Sequence, residues 1–362
     1  MIKGDFKDKL INVIASIIAI IFILEQLGKK VIRNALLEQL YSRKSIILIK
    51  FKSVYRPLIS SYNLLVDSSE KNTEKASDTP VWQCEPFILS GYRKQTFSYT
   101  KCFKSIFYLH NESVNILSHL FGVFLFLYMF SRDYYTAKET FVYSWHSKRN
   151  EFIIISFYNA SAVFCMLFSS IYHTFNCHSK DHSTCWLKID FIGILVLIFG
   201  TFLTGIYYGF YYFKWLFIFY TSLISIISIA ALIVSVSEKF SNPHGRALRA
   251  KVFSGIAISG ILPLLNIHYI YGIDMILRSI ILQYLFYSLI LYGIGVVIYA
   301  NRFPERFWPG KFDLFMGSHQ LFHISVLLAA YTYYHALSYA FFNDYILTLG
   351  YYYNTHLYPY TI

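Results

Sequence analysis

LKIDFIGILVLIFGTFLTGIYY, residues 187–208, decides the class of fold. From Phe191 to Phe213 the chain carries no Asp, Glu, Lys, Arg or His. About 20 apolar residues in a helix cross a hydrocarbon core roughly 30 Å thick. The stretch therefore reads as a membrane span, with a single carboxylate, Asp190, at its entrance. On either side of it, comparable apolar blocks recur at about 115–133, 152–172, 215–236, 252–271, 276–300 and 318–341. With 187–208 they make seven spans, and the pattern predicts an all-α membrane protein, a seven-transmembrane helix bundle.

Composition agrees. Of 362 residues, 56% are hydrophobic and 14% charged, against about a quarter charged in soluble domains. The net charge of +12 would suit nucleic acid, but the Lys and Arg residues lie between apolar blocks and in the N-terminal stretch, not along one amphipathic face. They are read as membrane flanks, and nucleic acid is excluded as a partner. Five cysteines, at 84, 102, 165, 177 and 185, are an odd set without framework spacing, so free thiols are expected rather than a disulfide scaffold.

Positive residues are retained on the cytoplasmic side. With the N-terminus in the cytosol, the inner segments 93–112, 173–189, 237–251 and 300–317 hold 13 Lys and Arg. The outer segments 132–150, 209–214, 269–278 and 343–362 hold 6. The expectation is a cytosolic N-terminus and an extracellular or lumenal C-terminus. Residues 1–80 form an N-terminal cytosolic region. Its apolar segment 10–24 is short for a span and has no cleavage site after it, which favours an interfacial or anchoring helix. Its end, residues 66–80, is nearly free of large apolar groups and reads as a flexible linker. Residues 81–342 form the seven-helix domain, and 343–362 a short outer tail.

Ionisable groups inside a span are costly unless paired or bound to metal, so they are functional candidates. Ser169 and His173, in SSIYH, stand four residues apart at the end of the second span and share a helix face. His319 and His323, in SHQLFH, stand likewise at the start of the last. Asp190 opens the third. On the expected topology all three places lie at the cytoplasmic side, so three histidines and a carboxylate can converge at one depth. Three His nitrogens with an open position are the ligand set of a catalytic zinc, which lowers the pKa of bound water to about 7. Asp190 and Ser169 suit the work around it, a carboxylate accepting a proton and a hydroxyl donating to an oxygen. The blander readings stay open: single histidines near helix ends are usually interfacial, and Asp190 could simply complement a helix dipole. A rival metal set, Cys177, His178, His182 and Cys185, lies in the loop after the second span. His110, His119, His268 and His335 look like singletons.

At these residues the sequence resembles the progestin and adipoQ receptor family, which includes adiponectin receptors, fungal zinc-homeostasis membrane proteins and the more distant bacterial hemolysin III group. The pieces are GYR (91–93), LHNESVNILSHLFG (109–122), SSIYHTFNCHS (169–179), LKIDFIGI (187–194), PERFWPGKFD (304–313) and SHQLFH (318–323). The resemblance implies a seven-helix bundle with its N-terminus in the cytosol and Zn2+ held near the cytosolic face by His173, His319 and His323. It further implies a cavity for a membrane lipid, ceramide or fatty acid, and an extracellular ligand. Members similar to adiponectin receptors act like ceramidases, cleaving an amide to a fatty acid and a sphingoid base. By that likeness Asp190 and Ser169 are catalytic. Ser113 and Ser118 stand where better-known members tend to have Thr, and the Tyr-rich tail does not carry over a hormone ligand.

The first expectation is thus a membrane-embedded zinc-dependent lipid amide hydrolase that also serves in signalling, in plasma membrane or endomembrane. The alternative is a receptor or zinc- and lipid-homeostasis regulator with a structural zinc and negligible turnover. A pore is disfavoured, because spans four and six offer little polar lining beyond Ser and Gln283.

Overall fold

A computed structural model describes residues 72–237 and 246–343. The apolar segment 10–24, residues 66–71 of the expected linker and all but the first residue of the expected tail lie outside them. Two short strands, β1 (Thr73–Glu74) and β2 (Tyr92–Arg93), pair antiparallel. Residues 73–80, the end of the expected linker, are therefore held in place: Ala76 N–H donates to the Leu89 carbonyl at 3.0 Å and Thr79 is buried. Nine α-helices follow among the described residues: α1 (Tyr99–Lys104), α2 (Ser113–Thr140), α3 (Trp145–Phe175), α4 (Lys180–Gly209), α5 (Lys214–Ser235), α6 (Arg246–Ser259), α7 (Ile261–Arg278), α8 (Ile280–Asn301) and α9 (Ser318–Phe342).

Among the described residues, six helical segments are long and apolar enough to cross a membrane: α2, α3, α4, α5, α8 and the run Ala247–Ile273 that joins α6 to α7. The protein is an integral, multi-pass, all-α membrane protein. The sequence led us to expect seven spans. The remaining long helix, α9, has 25 residues but carries His319, Gln320, His323, His335 and five Tyr or Thr residues. Its packing explains the composition. α9 lies against α8, α2 and α3, and residues from Ser318 to Phe341 are buried around it. A helix enclosed by other helices is not solvated by lipid tails and can carry polar groups that find partners within the bundle. The peripheral helices show the reverse. Ile226, Ile229 and Ile233 on α5 and Phe286, Ile290 and Val297 on α8 are exposed, as lipid-facing side chains would be.

Close helix contacts fix the α3–α4 pair. A Cβ on Gly200 would stand 2.6 Å from Ser161 Oγ, and one on Gly193 3.1 Å from the Cys165 Cα. Small residues let helix backbones approach where lipid supplies no hydrophobic drive. At the end of the bundle away from the histidines, the buried charges Asp133, Lys148 and Glu151 are paired: Asp133 with the exposed Arg132 at 2.8 Å and Lys148 with Glu151 at 2.9 Å, while Tyr334 donates to Asp133. Burial of these groups is explained by pairing.

The loop between α8 and α9 sets where α9 begins. Glu305 accepts from the backbone N–H and hydroxyl of Ser318. Gln320 donates to the carbonyls of Asn111 and Leu314 at 3.1 and 3.0 Å. Asp313 accepts from Leu89 N–H and the Ser90 hydroxyl. These contacts tie the start of α9 to the chain leading into α2. Gly91, at φ +80°, makes the turn into β2, and a Cβ there would meet Leu314 Cδ2 at 2.7 Å.

Candidate metal centre

Ser169 and His173 sit in the last two turns of α3, Asp190 in the first half of α4, and His319 and His323 in the first two turns of α9. Because α9 packs on α3, the two helix ends meet. The ligand atoms of His173, His319 and His323 lie within 4.8 Å of one another, close enough to share one metal ion. Ring centroids are 4.7 Å apart for His173 and His323 and 4.8 Å for His319 and His323.

The donor set fits a metal on two counts. His173 Nε2 and His323 Nδ1 are buried with no hydrogen-bond partner among the described residues, and an unsatisfied buried polar atom costs about 1–3 kcal/mol. Neutral imidazole nitrogens favour zinc and other late transition metals over calcium or magnesium.

Glu112, which sequence reasoning did not single out, orients the first of these rings. It occupies the N-cap of α2, and its Oε2 lies 2.7 Å from His173 Nδ1. With Nδ1 held by the carboxylate, Nε2 is left facing the cluster, the usual way a carboxylate fixes the tautomer of a ligating histidine. Asn115 donates to Glu112 Oε2 at 2.5 Å, and Asn176 to Oε1 at 3.1 Å. Burial alone would raise the Glu112 carboxyl, but the hydrogen bond with His173 and the Arg93 guanidinium beyond it hold it below the usual carboxylate range. Arg93, 1% exposed, braces the same segment: it donates to the carbonyls of His173 and Thr174 and to the side chains of Asn176 and Ser105. The signals in the sequence were present, an acidic residue directly before a span and the buried Arg of GYR, but their partners at the end of α3 are 61 to 83 residues away.

His119, expected as a singleton, is not isolated. Its ring centroid is 4.0 Å from that of His323, and its Nε2 lies 3.3 Å from the His323 carbonyl oxygen. The rival set is not gathered around one point. Cys177 is buried with its thiol against Cys102, Cys185 is exposed, and His178 and His182 pack against Tyr99, His182 edge-to-face, while both their Nδ1 atoms face Ser179 Oγ. Among the described residues His173, His319 and His323 are the group able to hold an ion.

Asp190 and Ser169 are buried, 7% and 2% exposed, and the Ser169 hydroxyl faces the Asp190 carboxyl group. Both line a cavity of about 1520 Å³, open to the outside, together with Glu112, His119, His319 and His323. Small-molecule sites are commonly about 300–1,000 Å³, so this one is large. Beyond the polar end its wall is apolar, with Ile194, Leu197, Ile198 and Phe202 of α4 and Leu282, Leu285 and Leu289 of α8. It follows α4 from Asp190 to Gly209, a length of about 28 Å at the rise of an α-helix.

The haemolysin-III related family model matches residues 107–334. The chain is 38% identical over 267 residues to progestin and adipoQ receptor-like protein 1 of Caenorhabditis elegans, covering 73% of this chain and 60% of that protein. It is 38% identical over 264 residues to the adiponectin receptor protein of Drosophila melanogaster, covering 72% of this chain and 57% of that one. To the ADIPOR-like receptor IZH2 of Saccharomyces cerevisiae it is 37% identical over 254 residues, 70% of this chain and 79% of the relative. The match thus spans somewhat under two thirds of the nematode and fly proteins and most of the yeast one. Matched from the approach to α2 through most of α9, the stretch that carries Glu112 and all three clustered histidines, the chain belongs to the haemolysin-III related family of progestin and adipoQ receptors.

Proposed function

We propose that the protein is a seven-span, zinc-dependent hydrolase of membrane lipid amides, ceramidase-like in its chemistry, with α9 as the seventh span, the N-terminus in the cytosol and the C-terminus outside or in the lumen. The observation that carries the reading is a three-histidine cluster at the polar end of a long apolar cavity, with an acid and a hydroxyl in the adjoining wall. His173, His319 and His323 would hold Zn2+. When bound, zinc polarises a carbonyl and makes water a usable nucleophile near neutral pH.

The chain's own residues supply the rest. Glu112 keeps His173 in the tautomer that presents Nε2. Asp190 accepts the proton of the attacking water and returns it to the departing amine nitrogen, the part of a general base and then a general acid. The buried hydroxyl of Ser169, beside Asp190, donates to the amide oxygen as negative charge develops on it. The apolar wall takes the acyl chain and keeps bulk water away. Substrate reaches such a site sideways from the bilayer.

A second reading is favoured by the names of the relatives, which are receptors: a receptor or zinc- and lipid-homeostasis regulator, with structural zinc and an outer ligand. The two separate on turnover. Detergent-purified full chain is incubated with ceramide and released fatty acid is measured, beside the Asp190→Asn variant. Release by the wild type, reduced at least about 100-fold in the variant at unchanged zinc content, supports the hydrolase. Zinc without release supports the receptor reading, and full activity in Asp190→Asn removes the proposed role of Asp190.

A further inference from the structure

Two thiols outside the metal cluster face each other. Cys102 is the buried residue of α1, and Cys177 lies two residues beyond the end of α3; both are fully buried. The Cys177 thiol donates to Cys102 Sγ, with the sulfurs 3.5 Å apart across 75 residues of sequence. A disulfide needs about 2.05 Å between sulfurs, so the gap closes by roughly 1.5 Å. The backbones are already tied together: Thr96 N–H donates to the Cys177 carbonyl and Phe97 N–H to that of His178, both at 3.0 Å.

We propose that Cys102 and Cys177 are a modification site at which a hydroperoxide forms a reversible disulfide, joining α1 to the end of α3. Cys102 is the attacking sulfur. The hydrogen bond from Cys177 outweighs burial and, with Thr96 Oγ1 at 2.9 Å and the charge of Arg93, brings its thiol down to about 6. Thiolates so placed are the reactive ones. The Cys102 thiolate attacks one peroxide oxygen, the O–O bond breaks, and the departing hydroxide takes a proton to leave as water, giving a sulfenic acid. Cys177 sulfur then attacks Cys102 sulfur, the S–O bond breaks, and the hydroxyl leaves with the Cys177 proton as a second water. Two thiols lose two electrons in all, and one hydroperoxide gains them. A small dithiol reverses the step by exchange.

Burial does not bar the oxidant. The pair is covered by one six-residue helix whose other described side chains are all exposed, including Tyr99, Phe103 and Lys104, and so short an element opens far more readily than the bundle. On the orientation proposed above this face is cytosolic, where thiols are kept reduced and a disulfide is a transient state. The location gives the bond a lever. Asn176, next to Cys177, holds Glu112, which holds His173.

The test uses the detergent-purified full chain, reduced, freed of reductant and treated with hydrogen peroxide. It is then denatured, alkylated and digested, and the cysteine peptides are mapped by mass spectrometry. The expected product is a cross-link between the Cys102 and Cys177 peptides, with both thiols lost to alkylation together and both restored by dithiothreitol. In Cys177→Ala, treated above about pH 9 so that Cys102 is ionised without its partner, the Cys102 sulfenic acid is trapped by dimedone. Full alkylation of both thiols at a peroxide dose that oxidises exposed Cys185, or a cross-link from Cys102 to Cys84 or Cys185, overturns the proposal. The wild-type map decides even if the variant fails to fold.

Discussion

Glu112→Gln separates the orienting carboxylate from the ligands themselves. The carboxylate receives three donors: His173 Nδ1 at 2.7 Å and Asn115 Nδ2 at 2.5 Å on Oε2, and Asn176 Nδ2 at 3.1 Å on Oε1. Glutamine keeps the shape but only one acceptor oxygen, so its NH2 must face a donor on one side or the other. Turning the Asn176 amide to relieve this is not free, because its Oδ1 already accepts from Arg93. The loss is about one charge-assisted hydrogen bond, ~1.5–3 kcal/mol. Removing a partner that orients a metal ligand typically costs 10- to 100-fold in affinity, or about 1.4–2.7 kcal/mol, so the two routes agree. Competition against a zinc chelator, on folded protein in detergent, should show the dissociation constant rising 10- to 100-fold. An affinity within about twofold of wild type would refute the argument that Glu112 sets the His173 ring.

Gly91→Ala should lower thermal stability in detergent, since alanine at φ +80° costs about 1–2 kcal/mol and its Cβ would stand 2.7 Å from Leu314 Cδ2; an unchanged unfolding temperature would contradict the packing described. Alkylation of Cys102 should follow a titration near pH 6, moving up towards the ordinary thiol value of about 8.5 in Cys177→Ala. Because the folded value is depressed, the associated stability is present above about pH 8.5 and is lost as pH falls through about 6; a wild-type midpoint near 8.5 would remove the thiolate. An Asn-x-Thr acceptor engineered between residues 344 and 362 should be glycosylated in a eukaryotic host, and one placed before residue 71 should not; the opposite pattern reverses the orientation.

The spans and the histidine cluster were legible for different reasons. Phe191 to Phe213 announces itself through hydropathy, a local property. His173 and the His319–His323 pair were found because ionisable groups at span ends are rare enough to be counted, and orientation put them at one depth. Glu112 escaped the same count because it stands one residue outside α2, where a carboxylate needs no explanation until its partner is known. Arg93 escaped because its role depends on contacts with residues about 80 positions on. The helix expected at 318–341 is there, as α9, but it is not among the six apolar enough to count as spans, since hydropathy measures fitness for lipid and α9 is enclosed by protein. His119 looked solitary because its neighbour, His323, is brought up by the α2–α9 packing. The cluster of Cys177, His178, His182 and Cys185 was the opposite case: density in sequence suggested a site, but only His178 and His182 come together, while Cys177 turns to Cys102 and Cys185 is exposed.

The most direct test of the metal centre is the zinc content of the detergent-purified full chain beside His319→Ala, by inductively coupled plasma mass spectrometry. The account predicts about one zinc per chain in the wild type, as a single three-histidine site requires, and loss of it in the variant. A wild-type protein that is folded but free of zinc, or a His319→Ala variant that keeps it, would contradict the assignment of His173, His319 and His323 as the zinc ligands.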